Sequence, residues 1–182
     1  VSEYESKAFS SFLKYSKVPI EIPTREQTFS LGSATVTMYL PEYTTSNHSI
    51  VTRIDYGNHS FLFMGDAEKE EEELLHYANV KADVIKIAHH GGTGSTSKEF
   101  FEQVNPSYAI LSVGEDNEYG HPCERIMKLL ATTEVYRTDF EGDITCISDG
   151  KNLSFTTSKQ ATVDKYAYRI YQREEEEDEQ AE

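Results

Sequence analysis

The stretch VIKIAHHGGTGSTSKEF, Val84 to Phe100, passes from an apolar β-type run through two adjacent histidines and two glycines into a helix-start pattern. A strand that ends where a helix is about to begin is the βα connection of an α/β sheet. Ligands of such sheets bind outside the carboxyl ends of strands, where loops converge. His89 and His90 therefore stand where chemistry is commonly placed. Two further junctions share that position: Asp66 in FLFMGDAE and His121 in NEYGHP. Each has a structural reading alone, Asp66 as a helix N-cap, His89 or His90 as a core histidine, and His121 as a loop residue held extended by Pro122. Their conjunction at three strand ends favours one shared site. His48, His59 and His76 have no such placement; His76 reads as surface and His59 as structural.

Working outward, residues 3–16 place Tyr4, Ala8, Phe9, Phe12 and Leu13 at helical spacing and predict an amphipathic helix. PIEI and TFSL are strand-like, and ATVTMYL is a strand closed by Pro41. SIVTRIDYGNHSFLFMG reads as a hairpin turning at Gly57-Asn58. From Asp66 the period becomes helical in DAEKEEEELLHYANV, with Ala67, Leu74, Leu75 and Ala78 inward, an acidic outer face and Asp66 as N-cap. Thr96-x-x-Glu99 is a capping box for the helix TSKEFFEQV. The strand SYAILSVG, the helix CERIMKLLATT after Pro122, and the strands EVYRT, DITCIS and NLSFTT follow, with DKYAYRIY as a last edge segment. Strand and helix alternate in the middle with antiparallel strands on both sides, which predicts an α/β sandwich.

Carboxylate and imidazole suit zinc, manganese or iron. A carboxylate such as Asp66 can bridge two cations, while imidazoles fix geometry and leave a position for water. Such a pair lowers the pKa of water and holds the attacked and leaving oxygens of an ester. Gly91 and Gly92 allow close backbone approach. TGSTS offers hydroxyls and amides at a helix start, which predicts a pocket for a phosphate or carboxylate.

Four segments in order, ending in GDAE, IKIAHHGGTGS, SVGEDNEYGHP and YRTDFEG, resemble the ComEC-type branch of the metallo-β-lactamase superfamily over Gln27 to Gly150. Gly92 departs from the Ser usual in that branch. The resemblance implies an αββα sandwich with two divalent metal ions, zinc or manganese, hydrolysing phosphodiesters or related esters. It implies Asp66 and His121 as metal ligands and one of His89 and His90, in the first place His90, as a ligand or a group touching the attacked centre, while its neighbour orients the site. The HxHxDH run of the superfamily's first half does not occur here. The chain is therefore expected to be the C-terminal half of such a domain, incomplete and inactive alone, and metal-free or weakly metal-binding. Its expected partner is the missing N-terminal half, or a second copy through self-association. A non-catalytic binding or scaffold module of the same fold is the alternative, and a DNA-processing role beside uptake machinery is a third reading from family association.

The 182-residue length suits one domain, residues 1–172, followed by an acidic tail, 173–182, expected to be disordered. Of the formal −15, the tail's seven acids and one Arg hold −6, which leaves −9 on the body. An acidic body argues against strong binding to a nucleic-acid backbone, which needs clustered Lys and Arg. A small phosphoester or ester remains a suitable substrate. No apolar run approaches the roughly 20 residues of a transmembrane helix. Two cysteines, Cys123 and Cys146, form neither a CxxC pattern nor a disulfide framework. Bacterial cytoplasmic and extracytoplasmic settings both fit.

Overall fold

The computed structural model describes residues 7–17, 25–40 and 49–167. Among them the order is α1 (Lys7–Tyr15), β1 (Glu26–Leu31), β2 (Ala34–Tyr39), β3 (Val51–Tyr56), β4 (His59–Phe63), α2 (Lys69–Leu74) and β5 (Val84–Lys86). A 3-10 turn (Ala88–Gly91), α3 (Lys98–Val104), β6 (Tyr108–Leu111), α4 (Glu124–Leu129), β7 (Glu134–Arg137), α5 (Thr138–Glu141), β8 (Ile144–Ser148) and β9 (Leu153–Thr157) follow. The mixed α/β class expected from the sequence is what the protein has. None of the described helices is long and apolar enough to cross a membrane.

Strands β1 to β7 form one sheet in chain order. β1 to β4 pair antiparallel, because the β1–β2 and β3–β4 links are tight turns and β2 and β3 also run in opposite directions. β4 to β7 pair parallel, because each connection carries a helix. That parallel register sets the C-terminal ends of β4, β5 and β6 side by side. At the β3–β4 turn Gly57 has φ +59, and a Cβ there would fall 2.3 Å from the Gly150 carbonyl oxygen. Only glycine fits both the turn and that approach.

Residues in register share a face. Leu62, Ile85, Ala109 and Val135 line up across β4 to β7, are almost fully buried, and join Phe100, Phe101, Val104, Ile126, Met127 and Leu130 in one core. Each large aliphatic side chain buried there contributes about 1.5–3 kcal/mol. The opposite face carries Phe29, Val36, Ile54, Phe61, Val84 and Tyr108 in one register row. Phe63, Lys86, Ile110 and Tyr136 form the next row, nearer the strand ends. The β8–β9 hairpin covers part of this face: Phe155 packs on Tyr108 and Tyr136 at centroid distances of 4.7 and 4.5 Å. The hairpin's turn meets the β3–β4 turn, where the Asn58 amide donates to Gly150 O. Phe29 and Phe63 stay exposed at 43% and 44%.

Several local expectations shift. The N-cap of α2 is Glu68 and not Asp66, and the helix ends at Leu74, well short of the predicted segment. Its outer face is not uniformly acidic, because Glu71 and Glu72 are buried. α3 is capped by Ser97, whose hydroxyl accepts from the Phe100 amide, one residue beyond the expected Thr96. α4 begins after an N-cap at Cys123. Residues 164–167 form no strand, so the predicted last edge segment is not seen there. PIEI, the loop after Leu40 with His48, residues 3–6 and the acidic tail lie outside the described residues. Both cysteines are free thiols.

The YRTDFEG segment closes the end of the sheet. Arg137, fully buried, grips Asp139 through two parallel bonds of 3.0 and 2.7 Å and donates to the Lys165 and Ala167 carbonyls. Removing one member of a buried pair strands the other charge, at about 3–5 kcal/mol. Arg137→Ala is expected to lower the unfolding free energy from urea titration by that much, with a correspondingly lower midpoint, whereas Lys98→Ala, in an exposed ion pair, changes it by less than about 1 kcal/mol. Equal midpoints for the two variants would contradict the assignment.

Candidate functional site

Beyond β5 the chain makes a turn that L-residues avoid. His89 and His90 take φ of 47 and 55, followed by Gly91 at 84. Each non-glycine residue in this left-handed region costs about 1–2 kcal/mol, so surrounding bonds must hold it. The His89 amide donates to Gly65 O at the end of β4, Gly92 N donates to His89 O, and Cys123 N donates to Gly91 O. The buried Ser95 hydroxyl donates to Ala88 O at 3.1 Å. Gly91 has no room for a side chain, since a Cβ would sit 2.8 Å from Pro122 Cβ.

The four expected residues meet through their side chains as two pairs at neighbouring strand ends, Asp66 with His90 and His89 with His121. His90 Nε2 lies 3.7 Å from Asp66 Oδ1, both about half exposed. The other ring nitrogen of His90, Nδ1, is 2.6 Å from the Ser112 carbonyl just past β6. His89 Nδ1 is 3.2 Å from Glu68 Oε1, and its ring meets that of His121 edge-on at 5.9 Å. His121 stacks in turn on Tyr119, an 82% exposed ring at the rim. A Cβ at position 92 would lie 3.2 Å from the His121 ring, so Gly92 lets that ring rest against the backbone. His76 is exposed, as expected, and the half-buried His59 sits at the hairpin away from these strand ends.

The sequence reading missed the residues that position these groups. Asn117 staples the loop before His121: its carboxamide oxygen accepts from the His121 amide, and its nitrogen donates to the Gly114 and His121 carbonyls. The Thr138 hydroxyl accepts from Val113 N and donates to Val113 O, fixing the strand end that carries Ser112. Arg125 on α4 donates to the carbonyls of Gly92, Thr93, Ser95 and Thr96. Glu72 accepts the Thr96 and Ser97 amides at 2.6 and 2.9 Å. This takes the Thr96 and Ser97 amides out of the expected anion pocket at TGSTS, since they already hold a carboxylate of the same chain. Asn117 and the Arg-Thr-Asp run stood inside the motifs, and a search for punctuating side chains beside His121 finds the first. Nothing local marks Glu72 or Arg125.

Burial, and then the neighbouring imidazoles of His89 and His90, hold the His121 pKa below its ordinary value. Lys86, on the open sheet face beside Phe63, donates to Ile87 O; burial lowers its pKa and Asp66 opposes the change. Asp66 and His90 have the donor chemistry for one divalent ion, since Nδ1 of His90 is committed elsewhere and Nε2 faces the carboxylate. Among the described residues no group of three or more His, Cys, Asp or Glu is placed to hold a metal ion.

No protein-family model matches the chain. It is similar to ComE operon protein 3 of Bacillus subtilis, 43% identical over 103 residues that cover 54% of this chain and 13% of that protein. Recombination protein 2 of Haemophilus influenzae is 38% identical over 85 residues, 47% of this chain and 11% of the relative. Competence protein ComA of Neisseria gonorrhoeae is 33% identical over 99 residues, 52% and 14%. The matches thus span no more than a seventh of these relatives' lengths. Competence-related names among them agree with the ComEC-type resemblance of the motifs.

A histidine whose folded pKa is depressed binds its proton more readily in the unfolded chain, so this group's effect on stability becomes unfavourable as pH falls from about 6.5 through the folded value. The His121 ring-proton NMR titration is expected to show a midpoint below about 6.5 that rises in His89→Ala. A midpoint at or above that value contradicts the packing described.

Proposed function

We propose that this chain is the C-terminal half of a metal-dependent hydrolase of the metallo-β-lactamase superfamily, acting on a phosphodiester or related ester. The observation that carries the reading is the pair Asp66 Oδ1 and His90 Nε2, 3.7 Å apart at adjacent parallel strand ends, with Nδ1 of His90 already engaged on Ser112 O. Asp66, His90 and His121 would hold the metal side of the site, and His89 would stand beside the reacting group. When bound, two divalent ions, zinc or manganese, would activate water toward the ester. The left-handed turn keeps both imidazoles at the strand edge, Gly92 gives His121 its place, and Tyr119 flanks the mouth. Similarity to proteins named for competence supports a phosphodiester as the ester class, while the acidic body disfavours extended backbone binding.

The superfamily's αββα sandwich gives the half-covered sheet face a purpose. Phe29, Phe63 and Lys86 lie on the face away from the helices, with Phe63 and Lys86 at the site end of their strands. A second sheet from the missing N-terminal half would cover that face and bring the remaining ligands. The other reading, a non-catalytic module of this fold, draws on the lack of a three-donor group among the described residues. An HxHxDH segment upstream in the parent gene favours the hydrolase, and its absence favours the module.

In the intact parent supplied with manganese or zinc, Asp66→Ala and His121→Ala are each expected to cut hydrolysis of bis(p-nitrophenyl) phosphate by about a hundredfold or more while the circular-dichroism spectrum is kept. Undiminished turnover in either variant would overturn the assignment. The 182-residue chain alone is expected to elute in light-scattering chromatography as a dimer or larger species, and Phe63→Glu to shift it toward monomer. A wild-type monomer would count against an uncovered docking face.

A further inference from the structure

The adjacent histidines resemble one another in sequence, yet their rings are held by different partners. His90 Nδ1 faces the Ser112 carbonyl, and His89 Nδ1 faces the Glu68 carboxylate. Neither partner can donate a proton: a carbonyl only accepts, and so does an ionised carboxylate. In a neutral imidazole only one nitrogen carries hydrogen. In the neutral ring an Nδ1 bonded to such a partner is the protonated nitrogen and Nε2 keeps the lone pair; for His90 that atom stands 3.7 Å from Asp66 Oδ1, beyond hydrogen-bond distance.

Glu68 is itself built into place. It occupies the N-cap of α2, and its amide donates to the carboxylate of Glu71 at 2.9 Å. The neighbouring loop passes it at Gly94, where a Cβ would lie 3.3 Å from the Glu68 carboxyl carbon and Oε1. The Gly94 carbonyl accepts the Lys69 amide, tying that loop to the first turn of α2. The carboxylate that meets His89 thus comes from the same strand end as Asp66, two residues on, and is fixed by the helix it starts.

We propose that Glu68 is a positioning residue for His89, holding its ring as the Nδ1–H tautomer so that His89 and His90 both present an unprotonated Nε2 to the site. His89 is then an acceptor at Nε2, able to take a proton from an attacking group or to ligate, and it does not donate from that atom while neutral. The assignment deepens the hydrolase reading by giving both histidines a defined protonation at the working edge. Its test needs no turnover.

Long-range proton–nitrogen NMR on the chain at pH 8, above the ordinary imidazole pKa of about 6.5, reads each tautomer directly. His89 and His90 are both expected as Nδ1–H. In Glu68→Ser, which keeps a good N-cap residue but cannot reach the ring, His89 is expected to change to mainly Nε2–H while His90 is unchanged and α2 amides stay protected from exchange. Glu68→Gln, which retains an acceptor oxygen, is expected to preserve Nδ1–H with its proton resonance moved upfield. An Nε2–H signal for His89 in the unaltered chain, or Nδ1–H persisting in Glu68→Ser, overturns the proposal. If α2 loses protection in Glu68→Ser, Glu68→Gln decides, because an unmoved proton resonance means Glu68 is not the acceptor. Inactivity of the parent enzyme alongside the expected tautomers would defeat the hydrolase reading and leave this one standing. The reverse result would separate them the other way.

Discussion

Three successive residues in the left-handed region, His89, His90 and Gly91, are the constraint around which the site is arranged. The conformation turns both imidazoles out at a strand edge and is unfavourable by about 1–2 kcal/mol for each non-glycine residue. It persists because neighbouring elements supply bonds that a relaxed turn would lose. The end of β4 takes the His89 amide, the residue before α4 donates to Gly91 O, and Ser112 beyond β6 takes the His90 ring. The parallel register of β4, β5 and β6 is what brings those donors and acceptors within reach.

A second tier holds the loop after the turn by an exchange of charges. Arg125 gathers carbonyl oxygens of residues 92–96, and Glu72 gathers the amides of Thr96 and Ser97. A loop without regular structure thereby has many of its polar backbone groups satisfied by side chains, as burial requires. The acid that holds it comes from a helix whose sequence looks like an ordinary solvated run.

This marks the limit of what the sequence could tell. The strand ends were legible because hydrophobic period changes at Asp66, His89 and His121 and because Gly and Pro punctuate the chain locally. The α/β class followed from the same alternation. The burial of Glu71 and Glu72 was not legible, since their i, i+1 positions in an acidic stretch read as surface and Glu72's partners lie more than twenty residues away. Glu68 was hidden for the same reason. At α3 the expected cap was Thr96, but Thr96 stands in the left-handed region with its amide on Glu72, and Ser97 takes the cap.

Gly92 has a consequence that reaches across the fold. The space a Cβ would need at that position is the space in which the His121 imidazole rests, at 3.2 Å. Residue 92 and the ring of residue 121 therefore share a single packing volume. A homologue with serine there seats the same histidine a few tenths of an ångström farther out. What looks in the sequence like the loss of one hydroxyl is, in three dimensions, a different depth for an imidazole on another loop.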